Sequence, residues 1–195
     1  MKIVFKSYLP NEEIPALDYL KKRKLIKFFN RETSAGIVCV AKLLDGGVLP
    51  ANTPFYYGKA HTAYEDFDVE KLVAASRDET GSFSQEYFVT RGMSNVSPLT
   101  QFKLLYNMPL CFISQEHNLT GDNAVIYNSA AGLFIQAIHA SGDLPVLLGA
   151  GKVHRDGRVE SGFALARKEE IEKALPGNID EAIDIFRYWH ERGNK

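Results

Sequence analysis

The stretch from Gly121 to Val153, GDNAVIYNSAAGLFIQAIHASGDLPVLLGAGKV, constrains the fold more than any other part of the chain. Ala124–Tyr127 is a short apolar, partly β-branched run, the composition of a buried strand. Asn128 and Ser129 stop it. Both are good helix caps, and the small residues Ala130, Ala131 and Gly132 follow. Leu133, Phe134, Ala137 and Ile138 then recur at helical spacing up to Ala140, and Ser141-Gly142-Asp143 ends that helix. Pro145–Leu148 is a second apolar strand, running into Gly149-Ala150-Gly151. Two buried strands joined by a helix predict a right-handed βαβ unit with parallel strands.

Within that unit Ser129 stands where strand becomes helix, at the carboxyl edge of the sheet. The position admits two roles. A side chain there can be a nucleophile beside backbone N–H groups that would stabilise an oxyanion. It can equally be a helix cap and nothing more.

The 195 residues suffice for one domain, 1–195, with a real core. Apolar residues make up 45% of the chain, enough to fold without metal or disulfide support. A net charge of −1 with mixed signs argues against nucleic acid or a membrane surface as the main partner. Cys39 and Cys111 lie inside apolar runs and are expected as buried free thiols of a reducing compartment. The start, MKIVFKSYLPNEE, has no long apolar segment, and no run is long enough to span a bilayer. The expectation is a cytoplasmic protein. Gly149–Lys152 lacks the spacing of a phosphate loop, and the cysteines lack that of a zinc site, so no cofactor or metal is expected.

The remaining elements follow from periodicity. Lys2–Leu9 alternates as a first strand, and Ala16–Leu20 reads as a helical turn. A long amphipathic helix is expected over Leu25–Leu44, with Leu25, Phe28, Phe29, Ala35, Val38, Cys39 and Leu43 on one face. The basic run KKRK at Lys21–Lys24 is either its solvated start or a docking patch for an acidic partner. PFYYG at Pro54–Gly58 is the second strand, His61–Asp68 a polar loop, and Val69–Ala75 and Ser82–Val89 short helices. Thr100–Ser114 reads as helix or strand, with Asn107 interrupting its apolar face as a buried hydrogen-bonding group. Asp156-Gly157 marks a hairpin turn, Arg158–Leu165 a last strand, and Lys168–Leu175 and Ile179–Arg192 the C-terminal helices. Asn178 is placed as the cap of the second. Ile179, Ile183, Phe186 and Trp189 form its buried stripe.

Taken in order, these segments resemble the N-terminal half of β-ketoacyl synthases over roughly residues 1–155. KKRKLIKFFNRETSAGIVCVAKLLDGG is similar to the family's helix leading into an "AL…AG" pattern. PFYYGKA is similar to its second strand, and SNVSPLTQFKLLYNMPLCFISQEHNLTG to "…vSP…N…a…is…l.G". DNAVIYNSAAGLFIQAIHA is similar to its nucleophile strand and helix. The closest likeness is to short chain-length-factor-like proteins of dissociated fatty acid, polyketide and aryl-polyene systems.

The resemblance implies a thiolase-like half fold: a mixed, mostly parallel five-stranded sheet with helices on both faces. Residues 156–195 add a strand and C-terminal helices. It implies a homodimer, or a heterodimer with a full-length synthase, formed along Asn123–Tyr127, and adds an acyl carrier protein to the candidate partners. It places Ser129 where the active family carries its cysteine, and makes Asn107, Asn128 and Phe134 candidate substrate contacts. The family's two histidines, which belong to a C-terminal half, have no counterpart here. A serine without a base is a poor nucleophile, and enolate formation needs placed donors. The expected role is therefore a non-catalytic subunit that shapes a partner's acyl tunnel. The alternatives are an acyltransferase or thioesterase using Ser129, with His154 as base oriented by Asp156, and a binding module for an acyl chain or carrier protein.

Overall fold

The computed structural model describes residues 1–60, 69–96, 99, 102, 105–174, 177 and 179–193. It divides into two compact units, Met1–Ala63 with Tyr106–Lys195, and Tyr64–Leu105. The first unit holds a five-stranded mixed sheet of β1 (Lys2–Tyr8), β2 (Phe55–Lys59), β3 (Asn123–Tyr127), β4 (Val146–Val153) and β5 (Val159–Ala166). Their order is β1-β5-β4-β2-β3. β3, β2 and β4 are mutually parallel, and β5 runs antiparallel to both β4 and β1. Four strands thus share one direction and β5 opposes them. The two strands of the expected βαβ unit are parallel, with β2 between them rather than adjacent to each other.

Helices lie on both faces. One face carries α1 (Arg31–Leu44) and, further along the chain, Met108–His117. There Ile37, Val38 and Leu43 pack with Phe55, Tyr57, Ile113, Leu147 and Phe163 in one buried cluster. The opposite face carries Ala130–His139 and Ala182–Gly193, where Leu133 and Phe134 meet Tyr56, Leu148, Ile183, Phe186 and Trp189. Each such side chain, fully buried, contributes about 1.5–3 kcal/mol. The last helix lies directly on the sheet because β2 and β5 present glycines to it. A Cβ on Gly58 would strike Ala182, and one on Gly162 would strike Phe186. Ile183, Phe186 and Trp189 of the expected stripe are buried, whereas Ile179 precedes the helix, which starts at Ala182, and is half-buried.

Several boundaries differ from the sequence reading. The helix expected over Leu25–Leu44 is broken. Arg23–Phe28 is a 3₁₀ segment, Phe29 is extended, and Asn30 starts α1 by accepting from the Thr33 N–H at 2.8 Å. The break lets Phe28 and Phe29 both reach Phe112, with ring centroids 6.2 and 4.8 Å away. Cys111 is exposed, because Met108–His117 turns Leu110, Phe112, Ile113 and Glu116 inward instead. Asn107 is exposed and precedes that helix rather than interrupting it. β4 continues through its glycines to Val153. Side chains at Gly149 and Gly151 would collide with Phe163 and with Tyr57 and Glu32 respectively. The β4–β5 turn is as expected, with Gly157 at φ +83° and its N–H donating to the His154 carbonyl at 2.9 Å.

The second unit contains α2 (Val69–Ala75), as expected, followed by an Arg77–Phe83 bridge. Asp78 organises the intervening turn by accepting from the N–H of Thr80 and of Ser82. The helix expected over Ser82–Val89 is a single turn, Gln85–Tyr87, capped by Ser84 and continued by a π-turn over Phe88–Gly92. The first unit further holds the helices α3 (Met108–His117), α4 (Ala130–His139), α5 (Lys168–Lys173) and α6 (Ala182–Gly193). The expected loop His61–Asp68, parts of Ser94–Pro98 and Thr100–Ser114, Leu175 and the cap Asn178 lie outside the described residues. No helix among the described residues is long and apolar enough to cross a membrane.

Candidate functional site at the carboxyl edge of the sheet

The turn between β3 and α4 is built by three local devices. Asn128 sits in the left-handed region at φ +52°, a conformation Asn tolerates better than most residues. Its N–H donates to the Lys59 carbonyl at 2.7 Å, which pins the turn to the end of β2. Ser129 then takes extended angles, and its Oγ accepts from the Gly132 N–H at 3.0 Å as the cap of α4. Gly132 is needed for this: a Cβ there would come 2.9 Å from Ile126 Cγ2 and 3.2 Å from Ser129 Oγ. The next N–H, that of Ala130, donates to the Asp180 carbonyl at 2.9 Å. The serine hydroxyl and a neighbouring donor that could hold an oxyanion are therefore both engaged in holding the helix. The side chain of Asn128 carries a buried Oδ1 with no partner among the described residues.

His154 does not reach this turn. Tyr127 and Gly151 both stand opposite Lys59, so their strands are two sheet spacings apart, about 9.5 Å. Nor does Asp156 orient the histidine: its carboxylate accepts from the Arg158 N–H within its own turn. His154 Nε2 pairs instead with Glu160 Oε2 at 2.9 Å. Glu160 is the hub of that corner, 3% exposed, and also binds Arg158 Nη1 at 2.7 Å and Arg187. Burial on its own would raise the Glu160 carboxyl. The His154 hydrogen bond and the Arg187 charge more than offset this and hold it below the ordinary carboxylate value. Burial on its own would lower Arg187, but the charges and hydrogen bonds of Glu160 and Asp184 more than offset this and raise it above its ordinary value.

Of the expected substrate contacts, Phe134 is buried, with its ring centroid 5.9 Å from that of Trp189 on α6. Asn107 is exposed and makes no side-chain cap bond. The sequence reading missed a second polar group beside the turn. Glu32 and Lys59 form an ion pair at 0% and 3% side-chain exposure, and the Tyr57 hydroxyl donates to Glu32 at 2.8 Å. Burial drives the Tyr57 hydroxyl well above its ordinary value, which keeps it a donor. The Lys59 ammonium also lies 5.9 Å from the Tyr106 ring, which stacks on Tyr127 at 5.6 Å. A signal was present in the alternation Phe55-Tyr57-Lys59, which puts a cation on the buried face of a strand. Its partner, a glutamate in the first turn of α1, carries no such mark.

The edge thus holds a pinned turn, a buried acid–base pair and a charged hub, and Ser129 and His154 are not joined in it. Among the described residues, no group of three or more His, Cys, Asp or Glu side chains could hold a metal ion. The sequence matches no model of a known protein family, and comparison with curated proteins gives no match.

Proposed function

We propose that this chain is a non-catalytic, β-ketoacyl-synthase-like subunit of a type II fatty acid or polyketide pathway, one that pairs with a cysteine-bearing synthase and shapes its acyl tunnel. The observation that carries the reading is the state of Ser129. Its hydroxyl accepts from Gly132, the adjacent Ala130 N–H is taken by Asp180, and His154 is bound to Glu160. A serine so placed lacks the expected base, His154, to form an alkoxide, and lacks an open donor at Ala130 for the oxyanion.

Three features of the first unit support the same reading. The sheet is mixed and five-stranded, with helices on both faces, in keeping with the thiolase-like half that the resemblance implies. β3 is an edge strand that pairs with β2 alone among the described strands, so a two-fold pairing of sheets along Asn123–Tyr127 is geometrically open. One apolar face of the sheet is already covered by this chain's own α6, which favours the β3 edge as the place for pairing.

The test is reconstitution. A cysteine-bearing synthase is assayed with carrier-borne acyl substrates, with and without this protein. The expected result is a shift in product chain length that Ser129→Ala leaves unchanged. Acyl transfer by this chain alone, abolished by Ser129→Ala, would establish the enzyme reading instead.

A further inference from the structure

We infer that the cationic ridge Lys21–Lys27, together with the cavity that Lys21 shares, is a docking site for an acidic peptide segment bearing an apolar side chain. Lys21, Lys22, Arg23, Lys24 and Lys27 are all exposed. None has a carboxylate partner among the described residues. Lys22 Nζ reaches only the Gln115 carbonyl, at 3.0 Å, and Lys27 lies 4.9 Å from the Phe28 ring centroid. Five like charges in seven residues repel one another, whereas Arg158 and Arg187 are neutralised by Glu160.

The ridge is held in place rather than left to wave. Glu116 on α3, 2% exposed, accepts from the backbone N–H of Lys21 at 2.7 Å and of Lys22 at 3.4 Å. Leu25, Ile26 and Phe28 pack inward against the core, so the 3₁₀ segment turns its cations outward. A row of cations on a held backbone is preorganised for carboxylates, because less backbone freedom is lost on binding.

Beside the ridge lies a cavity of about 430 Å³ at the carboxyl ends of α1 and α3. Its wall includes Tyr19, Lys21, Lys42, Leu44, Val48 and His117. Val48 is 82% exposed, an apolar side chain left in water at the rim. The cavity suits one apolar side chain of a ligand whose carboxylates rest on the ridge. Nucleic acid fits less well. Residues 21–27 present no aromatic side chain for stacking bases. A membrane fits less well too, since the apolar side chains of the segment point into the protein. This inference is independent of the partner-subunit reading, because it needs no synthase.

The test uses the intact protein and a fluorescein-labelled Glu/Leu peptide, read by anisotropy at two salt concentrations. Controls are the Gln/Leu counterpart, anionic phosphatidylglycerol vesicles and duplex DNA. Binding of the Glu/Leu peptide should be salt-sensitive and at least about tenfold weaker in Arg23→Glu/Lys24→Glu, whose side chains are exposed and support no other group. Should that variant fail to fold, Arg23→Gln/Lys24→Gln should show a smaller loss in the same direction. Val48→Ser should weaken the Glu/Leu peptide while leaving the salt dependence in place. Equal binding of the two peptides, or an affinity unchanged in the charge variants, would overturn the proposal. So would preferential binding of vesicles or DNA.

Discussion

The N–H of Ala130 donates to the carbonyl oxygen of Asp180, 2.9 Å away, so the segment that leads into α6 closes over the first turn of α4. The C-terminal helix is thereby tied to the turn that the resemblance identifies as the nucleophile position. This contact, with the cap made by Ser129, turns a potential reaction centre into a structural joint.

Ser129→Ala should accordingly cost stability and nothing else. Loss of a serine cap is worth about 1 kcal/mol. Urea denaturation should show that loss, and Ser129→Asp should recover most of it. A full loss of a demonstrated acyl-transfer rate in Ser129→Ala, with stability unchanged, would contradict the joint.

The Glu32–Lys59 pair makes a stronger demand. Both groups are buried, so removing one leaves an uncompensated charge in the core, at a cost of about 3–5 kcal/mol. Glu32→Leu and Lys59→Met should each destabilise heavily. The double variant should be nearer to wild type than the sum of the singles, as read in a double-mutant cycle.

Glu160 sets an acid limb. Its carboxyl is held below the ordinary value in the folded chain, so its contribution is present above the unfolded value, near 4.5. That contribution is lost as pH falls from there through the lower, folded value. Melting temperature measured from pH 7 down to pH 3 should drop along this limb. Glu160→Gln should be less stable at pH 7 and show a shallower acid drop. An identical slope in the variant would remove Glu160 from the explanation.

The two thiols should react very differently. Burial pushes Cys39 up to about 12, against the opposing hydrogen bond at Ser161, while Cys111 is exposed. A thiol reagent at pH 8 should label one cysteine of the native protein at once, and Cys39 only on unfolding. Cys111→Ser should remove the fast phase.

The sheet was readable from the sequence where period and composition coincide. Alternation marked β1, the apolar blocks marked β2 and β4, and small residues after Asn128 marked the start of α4. The helix broken at Phe29 was not readable. Leu25, Phe28 and Phe29 fit one helical face whether or not Asn30 restarts the helix, and only packing on Phe112 decides it. Cys111 misled for a related reason, since its neighbours Leu110 and Phe112 are buried while it faces out. At the site, Ser129 was legible as a cap from local residues alone. The partners that decide its chemistry, Asp180 for Ala130 and Glu160 for His154, come through tertiary contacts that no local pattern encodes.

The most direct measurement of the central claim is molar mass by light scattering, for the protein alone and co-expressed with cysteine-bearing synthases from its own gene neighbourhood. The account expects a stable one-to-one complex with one such synthase, lost when Val125→Pro disrupts β3 in a chain that still folds. A monomer or homodimer that takes up no synthase would contradict it.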